Sequence, residues 1–207
     1  MDLKNEIKHT RGCPAYIPNC SRDELPRFFK DMGYKVGAEI GVLKGAFTEK
    51  FCKAGLKMYA IDPWMSYCGS GRTQKSQERQ DFLYEHTKRL LSRYDNCEII
   101  RKTSADALKD FKDGSLDFVY IDGDHSLPYV VQDIYEWFKK VRKGGALSGH
   151  DYFCTVPEAK NVICNVSEAV DACIAVLGIK NFYLFGRSKP IRKEAKDDRY
   201  LSWMFFK

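Results

Sequence analysis

A chain of 207 residues with 44% hydrophobic, 14% aromatic and 30% charged residues holds enough apolar side chains for one substantial core, which excludes a disordered, collagen-like or coiled-coil protein. The net charge of +6, from 34 basic and 28 acidic residues, is too mild an excess to mark a nucleic-acid binder, although it permits an acidic ligand. No apolar run approaches the roughly 20 residues of a membrane span, and the opening MDLKNEIKHTRGCPAY lacks the apolar stretch of a secretory signal, so a cytoplasmic location is expected.

Residues 1–21 show no clear period and read as an irregular N-terminal arm, followed by a single domain over residues 22–207. Ser21 and Glu24 have the spacing of a capping box, which predicts a helix ending near Gly33. A short apolar strand over 36–42, a helix over 46–54 and a second strand over 57–61 follow directly. The polar stretch 66–80, with Gly69, Gly71 and Arg72, reads as a mobile loop leading into a helix that runs to about Tyr94. Next come a strand over 97–101, a short helix over 105–111, a continuous apolar strand over 116–121, and a helix over 128–141 that Gly144 and Gly145 are expected to end. A strand starting at Ala146, a helix over 167–177 stopped by Gly178, and a final hairpin of strands over 181–185 and 200–206 joined by RSKPIRKEAKDDR complete the chain. Strands that alternate with helices in this way predict an α/β fold built on a Rossmann-like, doubly wound, mostly parallel sheet. The eight cysteines, Cys13, Cys20, Cys52, Cys68, Cys97, Cys154, Cys164 and Cys173, form no C-x-x-C pair and read as thiols packed in a reducing compartment.

Chemistry concentrates where strands are expected to end. VGAEIGVLKGAFTEKF places Glu39 at a strand terminus, then Gly41 and Gly45, then a helix N-terminus. Such a turn brings backbone N–H groups to a ligand, and the helix N-terminus favours negative charge, so a nucleotide-like or carboxylate-bearing ligand is expected. No frame of this loop supplies G-x-G-x-x-G, which disfavours a dinucleotide and with it a nicotinamide-dependent oxidoreductase. Asp62, at the end of the next strand, is placed to accept from the two hydroxyls of a ribose, and Trp64 either covers the nucleoside or packs beside it. YIDGDH sets Asp122, Asp124 and His125 past one strand, and GHDY sets His150 and Asp151 past the next. If those strands are neighbours, the ionisable groups converge on one crevice, where carboxylates and imidazoles can bind a divalent metal or take a proton from a hydroxyl.

VGAEIGVLKGAFTEKF, YAIDPW, SADAL, DFVYIDGDHSLPYVVQDI and KGGALSGHDY, in this order, resemble the Rossmann-like, class I S-adenosylmethionine-dependent methyltransferases, and more narrowly the small-molecule and sugar O-methyltransferases of the macrocin and rhamnosyl type. The resemblance spans about residues 22–207 and is most specific from Asp117 to Tyr152. It implies a seven-stranded sheet with an antiparallel C-terminal hairpin and S-adenosylmethionine as cofactor. Glu39, Gly41 and the Gly45 loop would lie near the methionine and ribose, Asp62 on the ribose, Ser104 and Asp106 around the adenine, and Asp122 at the floor of the same site. It further implies a metal set of Asp122, His150 and Asp151. His150 stands where a carboxylate is usual, and an imidazole suits manganese better than magnesium. With or without a metal, Asp124, His125 or His150 would take the proton of an acceptor hydroxyl as it attacks the methyl group.

The expected acceptor is a small molecule, sugar-containing or anionic. Arg72, Lys75, Arg79, Lys88, Arg89 and Arg93 place positive charge beside the crevice, but Glu78, Asp81 and Glu85 are interleaved with them, as on a solvated helix face. Nucleic acid is the less favoured acceptor, a non-catalytic nucleoside-binding module is the alternative function, and a homo-oligomer is compatible with everything above.

Overall fold

The computed structural model describes residues 3–18, 20–66, 76–152, 164–186 and 201–207. Most of the loop expected over 66–80, with Arg72 and Lys75, lies outside these residues, as does the link of the C-terminal hairpin. Eight strands form one sheet: β1 (Ala15–Pro18), β2 (Val36–Ile40), β3 (Lys57–Ile61), β4 (Cys97–Ile100), β5 (Leu116–Ile121), β6 (Val141–Gly149), β7 (Phe182–Gly186) and β8 (Ser202–Phe206). Their order is β1-β7-β8-β6-β5-β2-β3-β4, and every neighbouring pair is parallel except those of β8 with β6 and β7. The seven expected strands and the antiparallel hairpin are all present.

The eighth strand comes from the N-terminal arm, which is regular where irregularity was expected. Leu3 and Ile7 are buried on the short helix α1 (Leu3–His9), and Ala15 and Ile17 of β1 point inward while Tyr16 and Pro18 point out. A four-residue edge strand ending in proline carries too short an alternation to be read from sequence, and an edge position tolerates the missing N–H.

β5 shows why its sequence is continuously apolar. Phe118 and Tyr120 face a layer made by α1, α2 (Leu25–Asp31) and α3 (Ala46–Lys53), while Val119 and Ile121 face α6 (Leu127–Lys140) and α7 (Val166–Leu177). The Phe118 ring stacks on Phe29 at 4.4 Å and lies across Gly37, where a Cβ would sit 2.3 Å from it. α6 ends at Lys140, earlier than Gly144: Val141 turns extended and enters β6 at once. The two glycines instead shape the irregular start of that strand. Gly144 holds φ 71°, and a Cβ on Gly145 would meet the Asp117 carbonyl oxygen at 2.4 Å. Because β2, β3, β4, β5 and β6 are parallel, their carboxyl ends open on one edge, where ligands sit in open α/β sheets. No described helix is long and apolar enough to cross a membrane.

Candidate active site

β2 delivers Glu39 to the floor of the crevice at 2% exposure, in register with Ala60 and Tyr120. Burial pushes its carboxyl up to about 8; the Thr48 hydroxyl, which donates to it, and Arg22 oppose the shift, while Asp122 and Asp62 add to it. The chain then turns at Gly41, with φ 89° and its N–H donating to Ile61 at 2.9 Å. A Cβ there would lie 2.1 Å from the Asp122 carbonyl oxygen, so the ends of β2 and β5 can meet only around a glycine. Gly45, at φ 76°, opens α3.

Asp62 clasps this loop. Its Oδ2 accepts from the Leu43 N–H at 3.0 Å and its Oδ1 from the Trp64 N–H at 2.8 Å. Both residues are non-glycine positions at positive φ, 53° and 41°, a conformation that needs such anchoring. Trp64 is 1% exposed, packs 5.1 Å from the Tyr84 ring and donates its indole N–H to the Leu43 carbonyl at 2.9 Å. It therefore supports the loop from within the core and offers no face to a nucleoside, which corrects its expected place among the cofactor contacts.

The second wall is made at the ends of β5 and β6. Asp122 Oδ1 lies 3.5 Å from His125 Nε2, which is 3.2 Å from Asp151 Oδ2; Asp151 Oδ1 is in turn 3.0 Å from His150 Nδ1. Burial alone would raise the Asp122 carboxyl, but the hydrogen bond of His125 and the charges of His150 and Arg22 outweigh it and hold the group below the usual range. Asp151 sits at φ 57° and, like His150, is buried. One ligand atom each from Asp122, His125 and Asp151 falls within 4.8 Å of the others. Among the described residues the metal-competent group is thus closed by His125 where His150 was expected, because His150 turns Nδ1 to the far oxygen of Asp151.

Arg22 was not anticipated. Its Nη1 is 3.0 Å from Asp122 Oδ2 and its guanidinium lies 5.0 Å over the Phe47 ring. The capping box expected at Ser21 and Glu24 is present beside it, but that motif marks a helix start and gives no sign of a partner 100 residues away. Asp124, expected to be catalytic, instead accepts from the N–H and hydroxyl of Ser126 through Oδ1, at 2.8 and 2.6 Å, and anchors the entry to α6.

After β4 the helix cap is Thr103, which accepts from the Asp106 N–H at 3.1 Å. Asp106 is exposed and paired with Lys109 at 2.9 Å. Ser104 turns inward, donating to Asp133 Oδ1 and accepting from Trp137 Nε1 at 2.8 Å. Asp133 and Trp137 are further residues that sequence reasoning missed. The sign was an acid set inside the apolar stripe Val130, Ile134, Trp137.

An acidic strand end, a glycine turn and an acid on the next strand, gathered at the carboxyl edge of a mostly parallel sheet, mark the class of open α/β folds that take their ligands at that edge. Residues 38–152, more than half of the chain, match the family model described as "Methyltransferase domain". The chain belongs to that family, within the Rossmann-like, class I S-adenosylmethionine-dependent methyltransferases. No curated protein sequence matches it. Similar solved structures include an O-methyltransferase from Bacillus cereus in complex with S-adenosylhomocysteine, at 14% identity and TM-score 0.60 over 91% of this chain and 83% of that one. They also include the N-methyltransferase NodS from Bradyrhizobium japonicum, at 14% and 0.61 over 89% and 93%, and the O-methyltransferase TomG from Streptomyces achromogenes in complex with S-adenosylmethionine, at 12% and 0.61 over 89% and 78%. At these identities the likeness is one of fold, and it includes both oxygen and nitrogen methylation.

Proposed function

We propose that the protein transfers a methyl group from S-adenosylmethionine to a hydroxyl of a small acceptor. The observation that carries this reading is the Asp122, His125 and Asp151 cluster, backed by His150, standing beside the Glu39–Gly41 turn. In this reading the Glu39, Gly41 and Gly45 loop takes the methionine end. Asp62, at the end of β3 and anchored to the Leu43 and Trp64 N–H groups, accepts from the ribose hydroxyls, and the Ser104–Asp106 turn borders the adenine.

The acceptor oxygen attacks the methyl carbon as the carbon–sulfur bond breaks and its electron pair returns to sulfur, leaving a neutral thioether and one proton to be removed. His150 is suited to that proton. With its Nδ1 directed at Asp151, the lone pair falls on Nε2, as in carboxylate-oriented bases. In-line placement of oxygen, carbon and sulfur supplies most of the acceleration. The donor set also fits a divalent cation: Asp122, His125 and Asp151 would hold it, the imidazole favouring manganese over magnesium, and it would lower the pKa of the acceptor hydroxyl. Arg22 shares Asp122 with any such ion.

Calorimetric titration with S-adenosylhomocysteine, repeated with magnesium and with manganese, tests the cofactor and the cation together. Labelled S-adenosylmethionine offered with a panel of hydroxylated small molecules then tests the transfer. Binding with transfer to oxygen is the expected result. Binding without transfer to any acceptor would leave a nucleoside-binding module, and no binding by folded protein would overturn the reading.

A further inference from the structure

Asp133 is a buried acid with no cation beside it. It projects from α6 at 7% exposure, and no Lys, Arg or His pairs with it among the described residues. Burial pushes its carboxyl up to about 6, with Ser104 opposing and Asp124 adding to the shift, so it is ionised above neutrality. One oxygen accepts from the Ser104 hydroxyl, and a Cβ built on Gly123 would lie 3.7 Å from the other. The acid therefore stands beneath both loops that leave β4 and β5, which are the walls of the crevice where the cofactor's base is placed. A buried, uncompensated carboxylate works against folding, which makes a task in the site the natural explanation of its presence.

Counting protons and lone pairs on Ser104 gives that task. A serine hydroxyl has one proton and two lone pairs. The proton goes to Asp133 and one lone pair receives the Trp137 indole N–H at 2.8 Å. One lone pair remains, so Ser104 can accept one further hydrogen bond and cannot donate one.

We propose that Asp133 makes Ser104 a dedicated acceptor and so selects a purine with a 6-amino group over one with a 6-oxo group. The amino group of adenine donates to that lone pair. The 6-oxo group of hypoxanthine would set two acceptors against each other, leaving both unmet in a partly buried site. This inference rests on the reading that the cofactor's base lies at Ser104.

Calorimetry of the full chain with S-adenosylhomocysteine and with S-inosylhomocysteine tests it. The wild type is expected to prefer the adenine compound by roughly tenfold to a hundredfold, the effect of unmet hydrogen-bonding groups in a buried setting. Asp133→Leu keeps the shape of the side chain but removes the acceptor, which frees the Ser104 proton to face the ligand. Its preference should fall to within about threefold, chiefly through tighter binding of the inosine compound. Ser104→Ala should lose the preference as well, with weaker binding of the adenine compound only. A wild type that binds both compounds alike, or a folded Asp133→Leu that keeps the full preference, overturns the proposal. If Asp133→Leu does not fold, an undiminished preference in Ser104→Ala does the same. Wild-type protein that binds neither compound overturns the cofactor reading itself, an outcome distinct from binding both alike.

Discussion

The two walls of the crevice are built on different principles. On the β2–β3 side most polar groups serve the backbone, with Thr48 to Glu39 a side-chain pair beneath them: Asp62 holds the N–H groups of Leu43 and Trp64, and Thr87 and the Trp64 indole meet the Leu43 carbonyl. On the β5–β6 side Asp122, His125, Asp151 and His150 are linked in turn through their side chains. The first wall is a shape that exists only when the chain is folded around it. The second is a set of charges resting on a frame that does not depend on them, so substitutions should act on stability at the first and on chemistry at the second.

Gly41→Ala is expected to have the largest effect. Its Cβ would press into the Asp122 carbonyl at 2.1 Å, from a backbone at φ 89°, and both partners are strand-end main chain that cannot rotate aside. A loss of about 4 kcal/mol in denaturant unfolding, with loss of S-adenosylhomocysteine binding, is expected. Gly123→Ala is the control. There the nearest atom is 3.7 Å away, so unfolding should change by no more than about 1 kcal/mol. Equal effects at the two positions would mean that the strand ends do not meet as tightly as the comparison requires.

Glu39 comes next, through its pH dependence. Its folded carboxyl is raised to about 8 from an ordinary 4.5, first by burial, so the folded state holds a proton that the unfolded chain releases. The associated stability is fully present below about pH 4.5 and is lost as pH rises toward about 8. Glu39→Gln mimics the protonated form and has no such loss. The wild type should decline relative to this variant by on the order of 3 kcal/mol between about pH 4 and about pH 7, read from urea unfolding across pH. Parallel curves for the two proteins would show that Glu39 ionises without strain and that this wall is less dry than its burial implies.

On the other wall, Asp151→Asn should spare the fold and damage the chemistry. Asparagine accepts the left-handed backbone at φ 57° as readily as aspartate, so melting should hardly change. His125 and His150 both lose a charged partner. A fall in kcat of roughly a hundredfold is expected, the scale of impaired proton transfer, with S-adenosylhomocysteine affinity within about threefold of wild type. If stability fell instead, the cluster would be part of the frame and the contrast between the walls would be false.

Much of this division was legible in the sequence wherever one residue type has one physical use. The apolar runs became β2, β3 and β5 because both faces of the sheet are covered, and Gly41, Gly178 and the Ser21–Glu24 box each marked a backbone state that few residues supply. The resemblance puts His150 in the metal set where the structure puts His125, and leaves both open as bases. His125 follows an acid past its strand and His150 precedes one past the next, and only the turn through Asp124 and Ser126, with the left-handed Asp151, decides which imidazole bridges two carboxylates. The contacts of Trp64 and Ser104 went unseen for a related reason. Their partners Leu43, Asp133 and Trp137 lie 21, 29 and 33 residues away in the chain, beyond any local pattern. β1 escaped because its four residues offer only two inward positions.

The smallest expected effect tests the residue on which sequence and structure diverge most sharply. Asp124 stands between two cluster members, yet its Oδ1 is committed to the N–H and hydroxyl of Ser126 at the start of α6. That is the work of a turn-forming aspartate ahead of the helix, and Asp124→Ala should cost about 1 kcal/mol in unfolding while kcat stays within a few-fold of wild type. It should therefore resemble a β2–β3 substitution in kind though it lies in the β5–β6 wall. A fall in kcat comparable to that of Asp151→Asn would instead assign the second carboxylate oxygen of Asp124 to the acceptor's proton and make it, with His150, a base of this site.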